Sequence, residues 1–447
     1  MPTAVTDGLP PGPRTPAGVQ TLAMMVRQRE YLERSRRRYG QMITARVWGF
    51  GPFVIVADPA LAKQVFTASP SALHAGDHSP LRRILGPNSL LGIDEDRHLE
   101  QRRLLLPPFK GQRMQTYEGL IEEITLAEIA SWPSGSEFAV AGSMQRITLR
   151  AILRAIFGAS GTELRELEEL MPDLTARGSR LATLTHLQRD LGPRSPWGAF
   201  LRVRARVDAV LDRLIAMAKD DPGLEERADI LALLVQATHS DGSPMTGEEI
   251  RDQLVTMMAA GHETTAHQLS WAVERLRRHP AVLARLTAEA DEGGRALREA
   301  TIREVQRMRP VIFFAGRYVM APYELGGYRL PRGTRIGLAA ALTHFDPALF
   351  PHPDRFDPDR FLDQLPDTYS WIPFGGGVRR CIGATFAHME MDVVLRTLLR
   401  EVTFAPTDDP PEGWRFRGVA MAPARGGRAI VTRRVRRAAP AVVPAAV

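Results

Sequence analysis

The stretch from Ser243 to Pro280, SPMTGEEIRDQLVTMMAAGHETTAHQLSWAVERLRRHP, limits the folding of this chain more than any other. Thr246 and Glu249 stand at capping-box spacing, in which each residue's side chain satisfies the other's backbone N–H at a helix start. Apolar residues then recur with helical period. Pro280 ends the pattern, because the residue before a proline is pushed out of the α region. The spacing predicts one helix of more than 30 residues, about 48 Å long at 1.5 Å per residue, enough to cross the whole molecule. Its centre, AAGHETT (residues 259–265), is a poor helix former: Gly261, Thr264 and Thr265 each cost about 0.5–1 kcal/mol relative to alanine. A glycine there lets something flat approach the backbone, and a threonine hydroxyl can bond back to a carbonyl one turn earlier. A tolerated kink in a buried helix accounts for the same residues. This stretch alone leaves both readings open.

Around this element most of the chain reads as helix. QREYLERSRRRYG, LIEEITLAEIASW and MQRITLRAILRAIFG carry apolar residues three and four apart. Strand signals are few and come from both ends: QMITARVWG and GPFVIVAD early, GTRIGLAA and RAIVTRR late. A sheet assembled from such distant segments predicts one interwoven domain over residues 17–432, mainly α with a small β portion. Residues 1–16 form a proline-rich lead, and 433–447 a basic Pro/Ala-rich tail expected to be disordered. Net charge is +7, yet both signs are interspersed and only the tail clusters positive charge, so nucleic acid is not an expected partner. No apolar run reaches the roughly 18 residues of a membrane span. The N-terminus also lacks the charged start and apolar core of a secretory signal, which makes a cytoplasmic location the expectation.

The single cysteine, Cys381, lies in FGGGVRRCIGATFA (374–387). One cysteine excludes an internal disulfide. A lone cysteine is commonly a small buried hydrophobe. Here, however, Gly375, Gly376 and Gly377 permit turns closed to other residues, and helical periodicity resumes just afterwards. A helix N-terminus, with Arg379 and Arg380 beside it, favours a thiolate. The loop has no adjacent histidine to serve as base for a nucleophile. An axial metal ligand needs only the thiolate, its amide donors and a flat apolar cavity.

This loop resembles the cysteine-ligand signature of the cytochrome P-450 family, Phe-x-x-Gly-x-Arg-x-Cys-x-Gly, matched by Phe374, Gly377, Arg379, Cys381 and Gly383. AGHETT is similar to the family's oxygen-activation motif, which implies Ala260 and Gly261 against the haem, Glu263 as relay acid and Thr264 as its hydroxyl partner. EVQR resembles the Glu-x-x-Arg pair, giving Glu304 and Arg307 at i and i+3; taken alone, such a pair is an ordinary surface salt bridge. FDPDRF resembles the segment that adds a third member, Arg360, among prolines that forbid regular structure. The cluster implied is structural support for the haem loop. HLEQRRLLLPPF resembles the helix that holds the haem propionates through His98 and Arg102, with Arg317 of FFAGRYV and Arg379 as further contacts. His98 also reads as a solvated surface histidine, and His262 and His344 read as structural.

The resemblance runs from LPPGPRTP to GVAMAPARGG. It implies the P-450 fold with its long central helix over the haem, haem b (iron protoporphyrin IX) as cofactor and Cys381 as axial iron ligand. It also implies monooxygenase chemistry, one oxygen atom from O2 inserted into a lipophilic small molecule of the fatty acid, terpenoid, sterol or polyketide class. Thiolate ligation favours O–O cleavage, and Glu263 and Thr264 would relay protons. Electrons would come from a separate ferredoxin or flavodoxin with its reductase, since no flavin or iron–sulfur motif is present. Arg102, Arg103, Lys110, Arg113 and Arg380 make a cationic face suited to such an acidic partner, and read equally as solvated cations. By the same resemblance the substrate pocket draws on Ile84, Leu85, Met257, Val311, Ile312, Phe313, Val419 and Met421, each of which reads equally as core packing. TARGSRLATLTHLQRDLGPRSPW would cover the entrance. Alternatives on this fold are carbon–carbon coupling, rearrangement, peroxide-driven oxidation, or a non-catalytic haem-thiolate protein. Retention of both Glu263 and Thr264 favours ordinary oxygen activation.

Overall fold

The structure is a computed structural model and describes residues 5–109, 113–158 and 161–434. The helices that position the site are α1 (Ala17–Val26), α2 (Glu95–Leu105), α3 (Arg113–Ala130), α4 (Ala141–Phe157), α5 (Thr162–Thr183), α6 (Pro196–Lys219), α7 (Gly247–Arg278), α8 (Ala296–Met308) and α9 (Ala384–Glu401). α7 is the helix expected from the capping box. It runs 32 residues without a break; the Glu249 N–H donates to Thr246 Oγ1 at 3.2 Å and the Thr246 N–H to Glu249 Oε2 at 2.9 Å. Leu254–Met258 and Thr265–Arg277 are buried all round, the signature of a helix threaded through a core.

α4 lies along α7 at its glycine. A Cβ built on Gly261 would stand 3.3 Å from the Ile152 side chain, and Thr148 Oγ1 donates to the His262 carbonyl at 2.9 Å. The two helices thus meet closely at Gly261, where a side chain would press on Ile152.

The strands that pair come from distant parts of the chain. β1 (Met42–Val47), β2 (Gly51–Val56), β3 (Leu73–His74), β4 (Phe314–Val319) and β5 (Arg335–Ala339) form one sheet in the order β1-β2-β5-β4-β3. β2 and β5 run parallel and the other neighbours antiparallel. A second sheet joins Glu137–Ala139 and Val402–Phe404 to Arg428–Arg433, and β6 (Trp414–Arg417) pairs with β7 (Ala420–Pro423) as a hairpin. The late strand extends to Arg433, and Arg434 pairs with Asp291 at 2.8 Å. The rest of the tail, residues 435–447, lies outside the described residues. The described part of the proline-rich lead is tied to β1, where Thr44 Oγ1 donates to the Pro10 carbonyl at 2.7 Å. Among the described residues no helix is long and apolar enough to cross a membrane.

Candidate functional site

The glycine-rich loop is shaped by what presses on it. Gly375 and Gly377 have φ of 67° and 63°, in the left-handed region that favours glycine. A Cβ on Gly377 would fall 1.9 Å from the Phe66 carbonyl oxygen, and one on Gly376 2.8 Å from the Phe66 ring. No larger residue fits either position. The Cys381 N–H closes the loop by donating to the Phe374 carbonyl at 3.0 Å. Gly383, the N-cap of α9, donates its N–H to the sulfur.

Cys381 thus precedes the N-cap by two residues, and its environment differs from the sequence expectation. Burial outweighs the Gly383 amide, Arg102 and Arg380, and pushes the thiol pKa up. The loop therefore does not stabilise a thiolate unaided; a cation on the sulfur would. The side chain is nevertheless exposed at its own surface while surrounded by protein, a combination that marks the wall of a concavity. Ala260 is likewise exposed in the middle of α7, flanked by buried turns, with Gly261, Glu263 and Thr264 half-buried beside it.

Four cationic or basic side chains from three elements converge nearby. His98 and Arg102 come from α2, Arg317 from β4 and Arg379 from the loop. His98 is buried rather than solvated, and burial together with Arg379, Arg102 and Arg317 lowers its pKa to about 3, so the ring is neutral. Burial and Arg379 lower Arg317 to about 10. Arg379 donates to the carbonyls of Leu90 (3.2 Å) and Ile93 (2.5 Å) and pairs with Asp94. The N–H groups of Ala75, Gly76 and Asp77 converge on the same Asp94 carboxylate at 2.7–2.9 Å. Arg317 meets no carboxylate within ion-pair distance among the described residues and donates to the Gly316 carbonyl at 2.8 Å. Arg317, buried beside Arg379 with no carboxylate of its own among the described residues, leaves a demand for an anion that a carboxylate of haem b would meet.

At the centre of α7, Thr264 Oγ1 donates to the Ala260 carbonyl at 2.7 Å, the back-bond expected from its sequence position. Glu263 turns toward α5 and β6: its carboxyl hydrogen-bonds Ser179 and feels Arg417, while burial raises its pKa. Sequence reasoning missed Glu390 on α9. It is wholly buried, neither carboxylate oxygen has a well-formed hydrogen bond, and burial pushes its pKa well up against a small opposing effect of the Thr265 hydroxyl. Its only signal in the sequence is an acid inside the apolar pattern HMEMDVV.

Glu304 and Arg307 are both completely buried, not a surface pair. Arg360 reaches Glu304 at 3.2 Å, so the three residues are brought together. Arg307 also donates to the His344 carbonyl at 2.8 Å, and His344 Nε2 accepts from the Ile372 N–H at 2.9 Å, two residues before Phe374. The cluster therefore holds the chain that leads into the cysteine loop.

The eight pocket candidates divide. Ile84, Leu85, Met257, Val311, Phe313 and Met421 are buried, whereas Ile312 and Val419 are 37% and 40% exposed. Phe313 lies edge-on to Trp414 at 4.8 Å, and the Met421 N–H donates to the Val311 carbonyl at 2.9 Å. Ile84 packs on Gly178 of α5. The cationic face expected for a redox partner is only partly assembled. Arg103 and Arg380 are exposed, but Arg102 is half-buried with its charge directed at Cys381. Lys110 and the side chain of Arg113 lie outside the described residues.

The family model for Cytochrome P-450 matches residues 10–426. The chain belongs to the cytochrome P-450 family. It is 52% identical over 428 residues to the putative cytochrome P-450 138 of Mycobacterium tuberculosis, covering 95% of this chain and 97% of that protein. It is 44% identical to the putative cytochrome P-450 135B1 of the same organism, with 94% and 91% coverage. Among solved structures, retinoic acid bound cyanobacterial CYP120A1 superposes with a TM-score of 0.83 at 22% identity, covering 95% of this chain and 99% of that one. The cytochrome P-450DA heme domain gives 0.84 at 23%, with 97% and 99% coverage. The protein is therefore an oxidoreductase of the monooxygenase type whose cofactor is haem b. The exposed thiol in a concave wall and the under-compensated Arg317 fit that group.

Proposed function

We propose that this cytochrome P-450 inserts one oxygen atom from O2 into a lipophilic small molecule, with electrons delivered by a separate ferredoxin or flavodoxin. One observation carries the reading: the lone cysteine, on a loop that tolerates no side chain at Gly376 or Gly377, is exposed yet surrounded by protein. Haem b bound here supplies the one-electron and O2 chemistry.

The chain's own residues then have distinct tasks. Cys381 would ligate the iron, and Gly383 holds the sulfur through its amide. His98, Arg102, Arg317 and Arg379 would take the propionates, with Asp94 and the Leu90 and Ile93 carbonyls fixing the Arg379 fork. Ala260, small and exposed in the middle of α7, would leave room for the haem against the helix. Thr264 holds a hydroxyl proton, given to the Ala260 carbonyl at 2.7 Å, that would be available to a ligand bound beside α7. Glu263, raised toward neutrality and held by Ser179 and Arg417, exchanges protons between the surface at β6 and Thr264. The buried apolar candidates Met257, Val311 and Phe313 exclude water from the reacting carbon.

The test is turnover under isotopically labelled O2 with a ferredoxin and reductase, against turnover with peroxide alone. One labelled atom in the product, with the reductant required, supports the reading. Product formed only with peroxide would replace it with a peroxide-driven oxidation.

A further inference from the structure

Three atoms of the kind that hold metal ions face one another beside the first turn of α2. His74 Nδ1, at the end of β3, lies 3.5 Å from Asp94 Oδ2 and 3.6 Å from Asp77 Oδ2, and the ligand atoms of the three residues all fall within 4.8 Å of one another. His74 is 6% exposed and Asp94 7%, while Asp77 is exposed and opens the group to solvent.

The other ring nitrogen shows what the arrangement lacks. His74 Nε2 meets Glu95 Oε1 at 2.8 Å, whereas Nδ1 is buried with no hydrogen-bond partner among the described residues. With the Nε2–H given to Glu95, Nδ1 of the neutral ring turns a lone pair toward two carboxylate oxygens, and lone pairs that converge in this way demand a positive charge between them. An imidazole whose outer N–H is fixed by a carboxylate is also how metal-ligating histidines are ordinarily oriented.

The frame around these atoms is rigid. The N–H groups of Ala75, Gly76 and Asp77 fix the Asp94 carboxylate, and a Cβ on Gly76 would fall 2.3 Å from the Ile93 carbonyl oxygen, so the turn after β3 is pressed onto the residues that lead into α2. Glu95 reaches His74 from φ of 53°, a conformation that is costly for a residue with a side chain. Arg82 pairs with Asp77 and Arg379 with Asp94. Against these two arginines stand three carboxylates, which leaves the group net anionic.

We propose that His74, Asp77 and Asp94 bind a divalent cation of the zinc class, with Glu95 orienting the imidazole and water completing the shell. Ligands about 2.0–2.1 Å from a tetrahedral ion stand roughly 3.3–3.4 Å from one another, close to the separations His74 already makes with both carboxylates. The remaining gap between Asp77 and Asp94 closes by rotation of the exposed Asp77. A nitrogen ligand favours zinc and its neighbours over calcium and magnesium, which take oxygen. The ion would tie the turn after β3 to the start of α2, the helix that carries His98 and Arg102.

The test uses the full-length holoprotein, stripped with a chelator and titrated with Zn2+ by calorimetry, with metal content measured after dialysis. One zinc per haem is expected, undisturbed by excess calcium. Asp77→Asn changes an exposed side chain, and His74→Gln removes the nitrogen ligand. Each should keep the haem spectrum and bind zinc roughly tenfold or more weakly. Zinc should raise the unfolding midpoint of wild type and leave that of Asp77→Asn unmoved. Wild type that retains only traces of zinc overturns the proposal. Binding that survives both substitutions does so too, since other surface groups then hold the ion. Displacement of zinc by calcium overturns the class of ion assigned. A nitrogen-15 spectrum showing both ring nitrogens of His74 protonated in excess zinc at neutral pH also overturns the proposal, because a proton then fills the gap.

Discussion

Glu304 and Arg307 meet as a bidentate pair with no solvent exposure, Nε to Oε2 at 2.7 Å and Nη2 to Oε1 at 2.8 Å. The Asp357 N–H adds a third bond to Glu304 at 2.9 Å. Removing Arg307 leaves the buried Glu304 with only Arg360 and the Asp357 N–H, a loss of up to about 3–5 kcal/mol, the cost of breaking a buried pair. Arg307→Leu should lower the denaturant midpoint accordingly and yield protein largely without haem, because the His344–Ile372 link to the cysteine loop loosens with it. A variant of unchanged midpoint and full haem content would show the pair to be dispensable.

Asp94 holds Arg379 by charge and is itself held by three backbone N–H groups. Asp94→Asn should leave the Soret position unchanged and speed haem loss to an acceptor apoprotein. The expected loss is about 1.5–3 kcal/mol of retention, the contribution of a hydrogen bond to a charged group. Unaltered haem transfer would remove Arg379 from the propionate site.

Thr264→Ala should bind haem normally but consume reductant without matching product, releasing the difference as peroxide. Glu263→Gln should slow product formation by about 10²–10⁴-fold, the range of positioned acid–base catalysis, and raise the solvent isotope effect. Tight coupling in the threonine variant would contradict the relay.

Glu390 gives a pH signature of its own. Burial keeps its carboxyl protonated well above 4.5 in the folded protein, whereas the unfolded chain releases the proton near 4.5. Above that pH the folded state binds more protons than the unfolded one, so this group's contribution to stability falls as pH rises. Glu390→Gln should match wild type below 4.5 and gain on it by up to about 1.4 kcal/mol per pH unit above. Denaturant midpoints across pH check this, and a difference that does not vary with pH contradicts it.

Much of this was readable before any coordinates, for local reasons. The capping box at Thr246 and Glu249 and the stop at Pro280 delimit α7 because caps and proline act within a few residues of themselves. Gly375 and Gly377 announce their turns in the same way. What escaped depends on contacts far along the chain. Ile152 lies against Gly261, Arg102 turns to Cys381 instead of solvent, and Glu390 is orphaned by packing that no nearby residue encodes. The thiol itself illustrates the limit: helix position and two arginines forecast an anion, and burial reversed the direction.

The most direct measurement is the absorption spectrum of the reduced, carbon-monoxide-bound protein and of Cys381→His. Wild type should show the red-shifted Soret band of thiolate ligation. The variant should retain haem and show a band at the shorter wavelength of an imidazole ligand. A variant with the wild-type spectrum would mean that the iron is bound elsewhere than at Cys381.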